Sequence, residues 1–203
     1  MRAKQYHIMK KFLSMVLALS LALCGFIAKA EDGDHPGCYN RISMSYRNVH
    51  FSDLDNGVSY NGGSFNYLHG FGLSATLPIY IETGASLGFA TRDNDSGSWG
   101  GYGTLEVPVN CTYRFSIPNT ELRLLPFAGL NFKGNLLGTA DVASDTQEWF
   151  TDSDFRRFQL GWQIGGALEF KKLYAALSYG TDFIPIAKGV NTGTFALSIG
   201  LNL

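Results

Sequence analysis

The stretch Thr194-Phe195-Ala196-Leu197-Ser198-Ile199-Gly200-Leu201-Asn202-Leu203 constrains the fold more than any other. Phe195, Leu197, Ile199, Leu201 and Leu203 alternate with Thr194, Ala196, Ser198, Gly200 and Asn202. A period of 2 is the signature of a strand, here with one apolar face and one small, polar face. The alternation continues through Leu203 without a polar tail, so an isolated strand of this kind would leave an edge open to aggregation. The simplest remedy is a partner strand on each side, in a sheet that closes on itself.

Seven earlier segments carry the same alternation: residues 40–48, 64–73, 79–90, 102–115, 122–133, 156–170 and 173–183. In the first, Ile42, Met44 and Tyr46 oppose Arg41, Ser43, Ser45 and Arg47; in the sixth, Phe158, Leu160, Trp162 and Ile164 oppose Arg157, Gln159, Gly161 and Gln163. His69 falls on the apolar face of its segment and reads as a hydrogen-bonded interfacial ring. Pro108 predicts a bulge, because proline has no N–H to give the ladder. The connections alternate in length. Residues 74–78, 116–121 and 171–172 are short; residues 49–63, 91–101, 134–154 and 184–191 are longer and hold most of the Asn-Gly, Asp and Gly turn chemistry.

Composition decides which face is wet. Only 16% of residues are charged, while the chain holds 24 Gly, 15 Phe and 10 Tyr. The polar face is rich in Gly, Ala and Ser and poor in Lys, which suits a narrow lumen and not a water-facing surface. The apolar face carries aromatics toward both ends: Tyr46, Phe65, Phe89, Phe132, Phe158 and Tyr179 at one, Phe71, Tyr113 and Phe170 at the other. Two such girdles mark the interfaces of a membrane barrel. Mean hydropathy is near zero, as expected when alternation hides the apolar face from a sliding window. A soluble barrel folded around a ligand would invert this arrangement. The fold class is therefore all-β: an eight-stranded antiparallel up-and-down transmembrane β-barrel with short periplasmic turns and longer extracellular loops.

Residues 1–30 read as a cleaved secretory signal peptide. Arg2, Lys4, Lys10 and Lys11 precede an apolar run from Phe12 to Ile27, and Ala28-Lys29-Ala30 is a small-x-small cleavage site. Met9-Lys10-Lys11 offers an alternative start to Met1. Residues 31–38 form a periplasmic lead-in and residues 39–203 the barrel. Five of the sixteen basic residues leave with the signal and none of the seventeen acids does, so the mature chain carries eleven against seventeen, a net charge of −6. That argues against nucleic acid as a partner. Cys24 lies in the apolar run; it leaves with the signal or, on the alternative reading, is the lipidated cysteine of a lipoprotein, although Leu23 is large for the position before it. Cys38 and Cys111 read as free thiols, with a disulfide as the alternative.

A cleaved signal, a single eight-stranded barrel and the closing strand Phe195–Leu203 resemble the outer membrane β-barrel domain family, which includes OmpA-like transmembrane domains and porin-like opacity proteins. The resemblance implies the outer membrane of a Gram-negative bacterium, a monomer, contact with membrane lipid and lipopolysaccharide, and insertion by the barrel-assembly machinery. In that family the closing strand ends in an aromatic residue, whereas Leu203 is aliphatic.

No cofactor or metal site is expected, and no catalytic group. His50-Phe51-Ser52 has the His-x-Ser spacing of lipid A deacylases but begins a Gly- and Asn-rich loop. The acids between Asp141 and Asp154 do not match a calcium loop. Two constellations remain. Inward charges Arg41, Glu82, Arg114, Arg123 and Glu169 map to the periplasmic half of the lumen, with Glu106 among those nearer the outside. Such charges must pair or suffer desolvation, and read as a rigidifying network or as the gate of a narrow conduit. Trp149 and Phe150, amid acids in the longest loop, read as candidates for binding an extracellular ligand or for packing on the rim. The expected role is structural or loop-mediated interaction at the surface; a narrow channel and, more remotely, a lipid-modifying enzyme are the alternatives.

Overall fold

The computed structural model describes residues 37–52, 57–74, 76–93, 99–142, 145–150 and 155–203. The signal peptide with Ala28 and Ala30, the cysteine at 24 and most of the lead-in fall outside them, as do Asp152 and Asp154. The strands are β1 (Tyr39–Ser52), β2 (Val58–Gly72), β3 (Ile79–Asp93), β4 (Trp99–Tyr113), β5 (Phe115–Ser116), β6 (Leu122–Val142), β7 (Asp145–Glu148), β8 (Phe158–Phe170), β9 (Leu173–Asp182) and β10 (Asn191–Asn202). Each barrel strand pairs antiparallel with its sequence neighbours, and β1 pairs with β10, placing Ile42 opposite Leu201 and Met44 opposite Ile199. With β4 also paired to β6, the ring is closed. It has eight staves: β5 is a short continuation of β4, and β7 only folds back on the end of β6.

The alternation sets the faces as its period requires. Ile42, Met44, Phe65, Leu87, Leu124, Ile164, Leu177 and Ile199 stand 44–66% exposed around the outside, while Arg41, Glu82, Glu106 and Glu169 are at most 5% exposed inside. Polar rims bound this belt. On β1, Asn40 accepts from the Tyr67 hydroxyl (2.8 Å) and meets His69 Nδ1 (2.7 Å); eight residues on, Asn48 donates to Asn61, which also accepts from Tyr46. At about 3.3 Å per residue and a tilt of about 40°, the interval spans roughly 20 Å, close to the apolar height of a membrane barrel.

Three expectations need correction. The 49–63 loop is largely strand: β1 continues through Ser52 and β2 begins at Val58. The 134–154 loop is likewise mostly strand, since β6 runs to Val142 and pairs with β7. The cause is a bulge, at a different place from the one expected. Gly103 opposes Leu137 but Thr104 opposes Asn135, so Leu136 is an extra residue. Leu136 and Leu137 both face outward, and the period-2 signal ends there. At Pro108 there is no bulge. The ladder to β3 is interrupted between Thr83–Val109 and Ser86–Glu106, but its register is the same on both sides. Pro126 acts similarly: the break between β4 and β5 lies opposite it.

Tight turns close the other end. Lys171-Lys172 joins β8 to β9, with Lys171 at φ 56°, and Asn119 holds φ 60° in the turn before β6. Cys38 and Cys111 are free and exposed, the latter among the outward residues of β4.

Candidate functional site: the barrel lumen and its outer mouth

The lumen holds two ion-paired layers. In the lower, Arg41 from β1 reaches across the barrel. Its guanidinium donates to Glu82 on β3 (2.9 Å) and to Glu169 on β8 (2.7 Å), and its Nε to Asn202 Oδ1 (2.9 Å). It lies 3.8 Å from the centroid of the Tyr174 ring. Arg114, between β4 and β5, pairs with the other oxygen of Glu169 (2.5 Å) and packs between Tyr39 and Tyr80. The Tyr39 hydroxyl and Thr112 Oγ1 both donate to Glu82. Four of the charges predicted for the periplasmic half thus meet in one lattice linking β1, β3, β8 and the β4–β5 junction. Arg123 stays at its edge, with its side chain 45% exposed and 3.8 Å from Glu169. Beside this lattice, and extending from it toward the outer layer, lies an apolar cluster of Leu125, Phe127, Ala167, Tyr174 and Ala176.

Glu106 belongs to the upper layer. It accepts from Arg47 (2.5 Å), Asn131 (2.8 Å) and Thr104 (2.9 Å), and Lys133 pairs with Asp182 at 3.0 Å. Gly88 makes room for this arrangement, since a Cβ there would overlap the Arg47 guanidinium. Gln159, wholly buried, joins the layer to the mouth. Its Nε2 donates to Thr192 (2.8 Å) and Asp182 (3.2 Å), and its Oε1 accepts from Asn135 (2.9 Å). Sequence reasoning placed Gln159 on the inward face but gave it no role. The only signal in the sequence is an amide at an inward position of a strand, which must find hydrogen-bond partners once buried.

Above this layer the mouth is closed by hydrophobic side chains. Val49, Phe51, Tyr60, Ala90, Tyr102, Phe150, Ile186 and Ala187 form one buried cluster, against which Trp149 and Phe155 pack. The Trp149 ring stacks on Phe155 (5.5 Å, 18°) and meets Phe51 edge-on (5.6 Å, 82°). The Trp149 N–H donates to the Gly138 carbonyl, and a Cβ on Gly138 would come within 2.8 Å of both the Trp149 and Phe150 rings. Phe150 is therefore buried and Trp149 half-buried; neither projects from a loop tip. Arg157, expected in the lumen, lies over the Phe150 ring at 5.2 Å instead.

The His-x-Ser spacing does not assemble a nucleophile. His50 Nδ1 meets Ser59 Oγ across the β1–β2 pair (3.0 Å), while Ser52 donates to the Asn191 carbonyl (3.3 Å). Among the described residues no group of three His, Cys, Asp or Glu side chains is placed to hold a metal ion.

No protein-family model and no curated protein matches the sequence. Solved structures do match. Neisserial surface protein A (NspA) aligns over 81% of this chain and 98% of its own, at 10% identity and a TM-score of 0.53. Ail, the attachment invasion locus protein of Yersinia pestis, aligns over 82% of this chain and 99% of its own, at 14% identity and a TM-score of 0.49. The outer membrane enzyme PagL aligns over 76% and 97%, at 12% identity and a TM-score of 0.42. Likeness at this level speaks to architecture, and one architecture carries many activities. The chain has the closed eight-stranded β-barrel fold of outer-membrane proteins.

Proposed function

We propose that this chain is a monomeric, non-enzymatic integral protein of the outer membrane of a Gram-negative bacterium, exported by a cleaved signal and inserted by the barrel-assembly machinery, with a structural or interaction role exercised from its outer end. The observation that carries this reading is the inversion of the usual protein: large apolar side chains on the outside and buried charges at the centre. Only a hydrocarbon solvent stabilises that arrangement. The occupied lumen supports a structural role over an open pore. An eight-stranded barrel is just wide enough for its side chains to fill, and here they do so in paired layers.

Lipopolysaccharide is the partner best supported at the rim. Arg156 and Lys188 are exposed, on neighbouring segments joined by the Arg156 N–H to Ile186 carbonyl bond (2.7 Å). The outward ring of Tyr179 on β9 and the exposed Phe183 just beyond its end lie in the same stretch of chain. Cations next to apolar rings suit phosphates above acyl chains. Any extracellular ligand would meet this rim before the half-buried Trp149 and the buried Phe150.

The reading is tested by membrane fractionation with heat-modifiable gel mobility, planar-bilayer conductance, and mass spectra of lipid A. Recovery as a soluble periplasmic protein would refute it. Stable single-channel currents would favour the conduit, and altered lipid A on overexpression an enzyme.

A further inference from the structure

The apolar belt around the barrel does not have the same height on every side. On β1 it is bounded by two polar cross-strand pairs with β2, Asn40 opposite His69 and Asn48 opposite Asn61. Between them only Ile42, Met44 and Tyr46 face outward on β1. The Tyr67 hydroxyl donates to the inner pair and the Tyr46 hydroxyl to the outer one. β6 stands four staves from β1 in either direction, so it is the opposite wall. There every outward residue from Leu124 to Leu136 is apolar or glycine, and from Phe158 to Phe170 on the neighbouring β8 every one is apolar, aromatic or glycine. At about 3.3 Å per residue and a tilt of about 40°, these runs are roughly 30 Å tall, against roughly 20 Å on β1.

The lumen contacts fix the levels of the two sides. Arg41, beside Asn40, bonds Glu169, beside Phe170. Arg47, beside Asn48, bonds Glu106, which lies opposite Lys133 on β6. The tall belt therefore runs past the polar pairs at both ends, with Leu122 and Phe170 below and Leu136 and Leu137 above. Tilting the barrel cannot level such a difference, because a tilt moves both ends of one face the same way. Asparagine is also too short to snorkel as lysine does. The polar pairs are incompletely bonded. The side-chain N–H groups of Asn40 and Asn61 and the side-chain carbonyl of Asn48 have no partner among the described residues, and His69 Nε2 is buried without one. Hydrocarbon supplies no partner; head groups and water do. At the periplasmic end Leu203 and Phe71 flank this polar spot, so the dip there is confined to the width of β1.

Resting on the membrane-barrel reading above, we propose that the β1 face is a lipid-contact surface for a thinned bilayer. Head groups of both leaflets come down to the two polar pairs. The hydrocarbon beside β1 is held to about 20 Å, about 10 Å less than beside β6 and β8. The lipid that fits this face has short or disordered acyl chains.

The test uses the full mature chain in dioleoylphosphatidylcholine vesicles. In a Cys38→Ser, Cys111→Ser background, a nitroxide is attached through Met44→Cys on β1 or through Ile164→Cys on β8. Both positions are the midpoints of their belts, so a tilt leaves them level. The ratio of collisions with oxygen and with a water-soluble nickel chelate reports depth. The label on β1 should lie about 5 Å nearer water than the label on β8, half the difference in belt height. Equal depths would overturn the proposal. Wild-type protein in nanodiscs of the same lipid supplies a test that needs no variant to fold. A water-soluble gadolinium chelate should broaden the side-chain amide NMR signals of Asn40, Asn48 and Asn61. It should spare the backbone amides of Leu160 and Leu168, near the same levels on β8. Equal protection of the two sets would overturn the proposal as well. Free access of the nickel chelate to the label on β8 would instead refute the membrane reading beneath it.

Discussion

Replacing Arg41 by methionine should destabilise the barrel by about 3–5 kcal/mol, the usual cost of removing one partner from a buried ion pair. The structure says where that cost falls. Arg41 is 1% exposed and contacts two carboxylates. Glu169 loses one cation but keeps Arg114 at 2.5 Å and Arg123 at 3.8 Å. Glu82 keeps only the hydroxyls of Tyr39 and Thr112. Two neutral donors do not replace a guanidinium, so Glu82 becomes the unpaired buried charge. Adding Glu82→Gln to Arg41→Met should therefore return about 2 kcal/mol or more, because a neutral amide carries far less desolvation penalty than a carboxylate. Adding Glu169→Gln should return less than about 1 kcal/mol and would leave Arg114 short of its partner. Equilibrium unfolding in urea, followed by tryptophan fluorescence in lipid vesicles, measures all four proteins. If Arg41→Met lies within about 1 kcal/mol of wild type, the lattice is far more hydrated than its burial implies. If Glu169→Gln rescues as well as Glu82→Gln, the assignment of the orphaned charge is wrong.

Phe150→Ala should cost about 3 kcal/mol by opening a cavity in the mouth cluster, read from the same unfolding curves; a change below about 1 kcal/mol would mean the cluster does not seal. Cys111, outward on β4, should react with a lipid-soluble maleimide and resist a charged one, while Cys38 should react with the charged reagent from the periplasmic side; equal reactivity of Cys111 toward both would place that face in water. Lys171→Gly should stabilise the barrel by about 0.5–1 kcal/mol, since a left-handed φ of 56° costs an L-residue roughly 1–2 kcal/mol and glycine loses part of that gain in chain entropy. The exposed Lys171–Glu121 pair at 3.3 Å offsets little of it, and a lower unfolding midpoint would contradict the argument.

The barrel was legible in the sequence because a period of 2 is a local property, written residue by residue in the strands themselves. It failed where the backbone changed phase. Asn135 points in, Leu136 and Leu137 both point out, and Gly138 points in again, so a reader following alternation stops at Lys133 and assigns the rest to a loop. The mouth cluster was hidden for a different reason. Val49 and Phe51 continue the inward parity of Arg47, but the Asn- and Gly-rich segment beyond them reads as turn, and three aromatics that share one cluster (Phe51, Tyr60 and Tyr102) lie in three different stretches of chain.

The lumen charges were legible only to the extent that parity allows. Alternation says that Arg41, Glu82, Arg114 and Glu169 face inward, and strand direction says that they share a depth. Neither says which carboxylate Arg41 reaches, because β1 touches neither β3 nor β8 in the sheet. Its partners lie 41 and 128 residues away, on staves two and three places round the ring, and are met through the lumen. That distance is fixed by the number of strands and their tilt. A long side chain at a small position of a wider barrel would find water there, and the same sequence pattern would describe a pore. Eight strands bring the opposite walls within reach of one arginine, so closure of the lumen is a consequence of strand count as much as of any single residue. The serines and glycines on the inward faces then have a definite part: they leave the width that the few long, charged side chains need to cross it, and between the two crossings they leave a space of about 100 Å³.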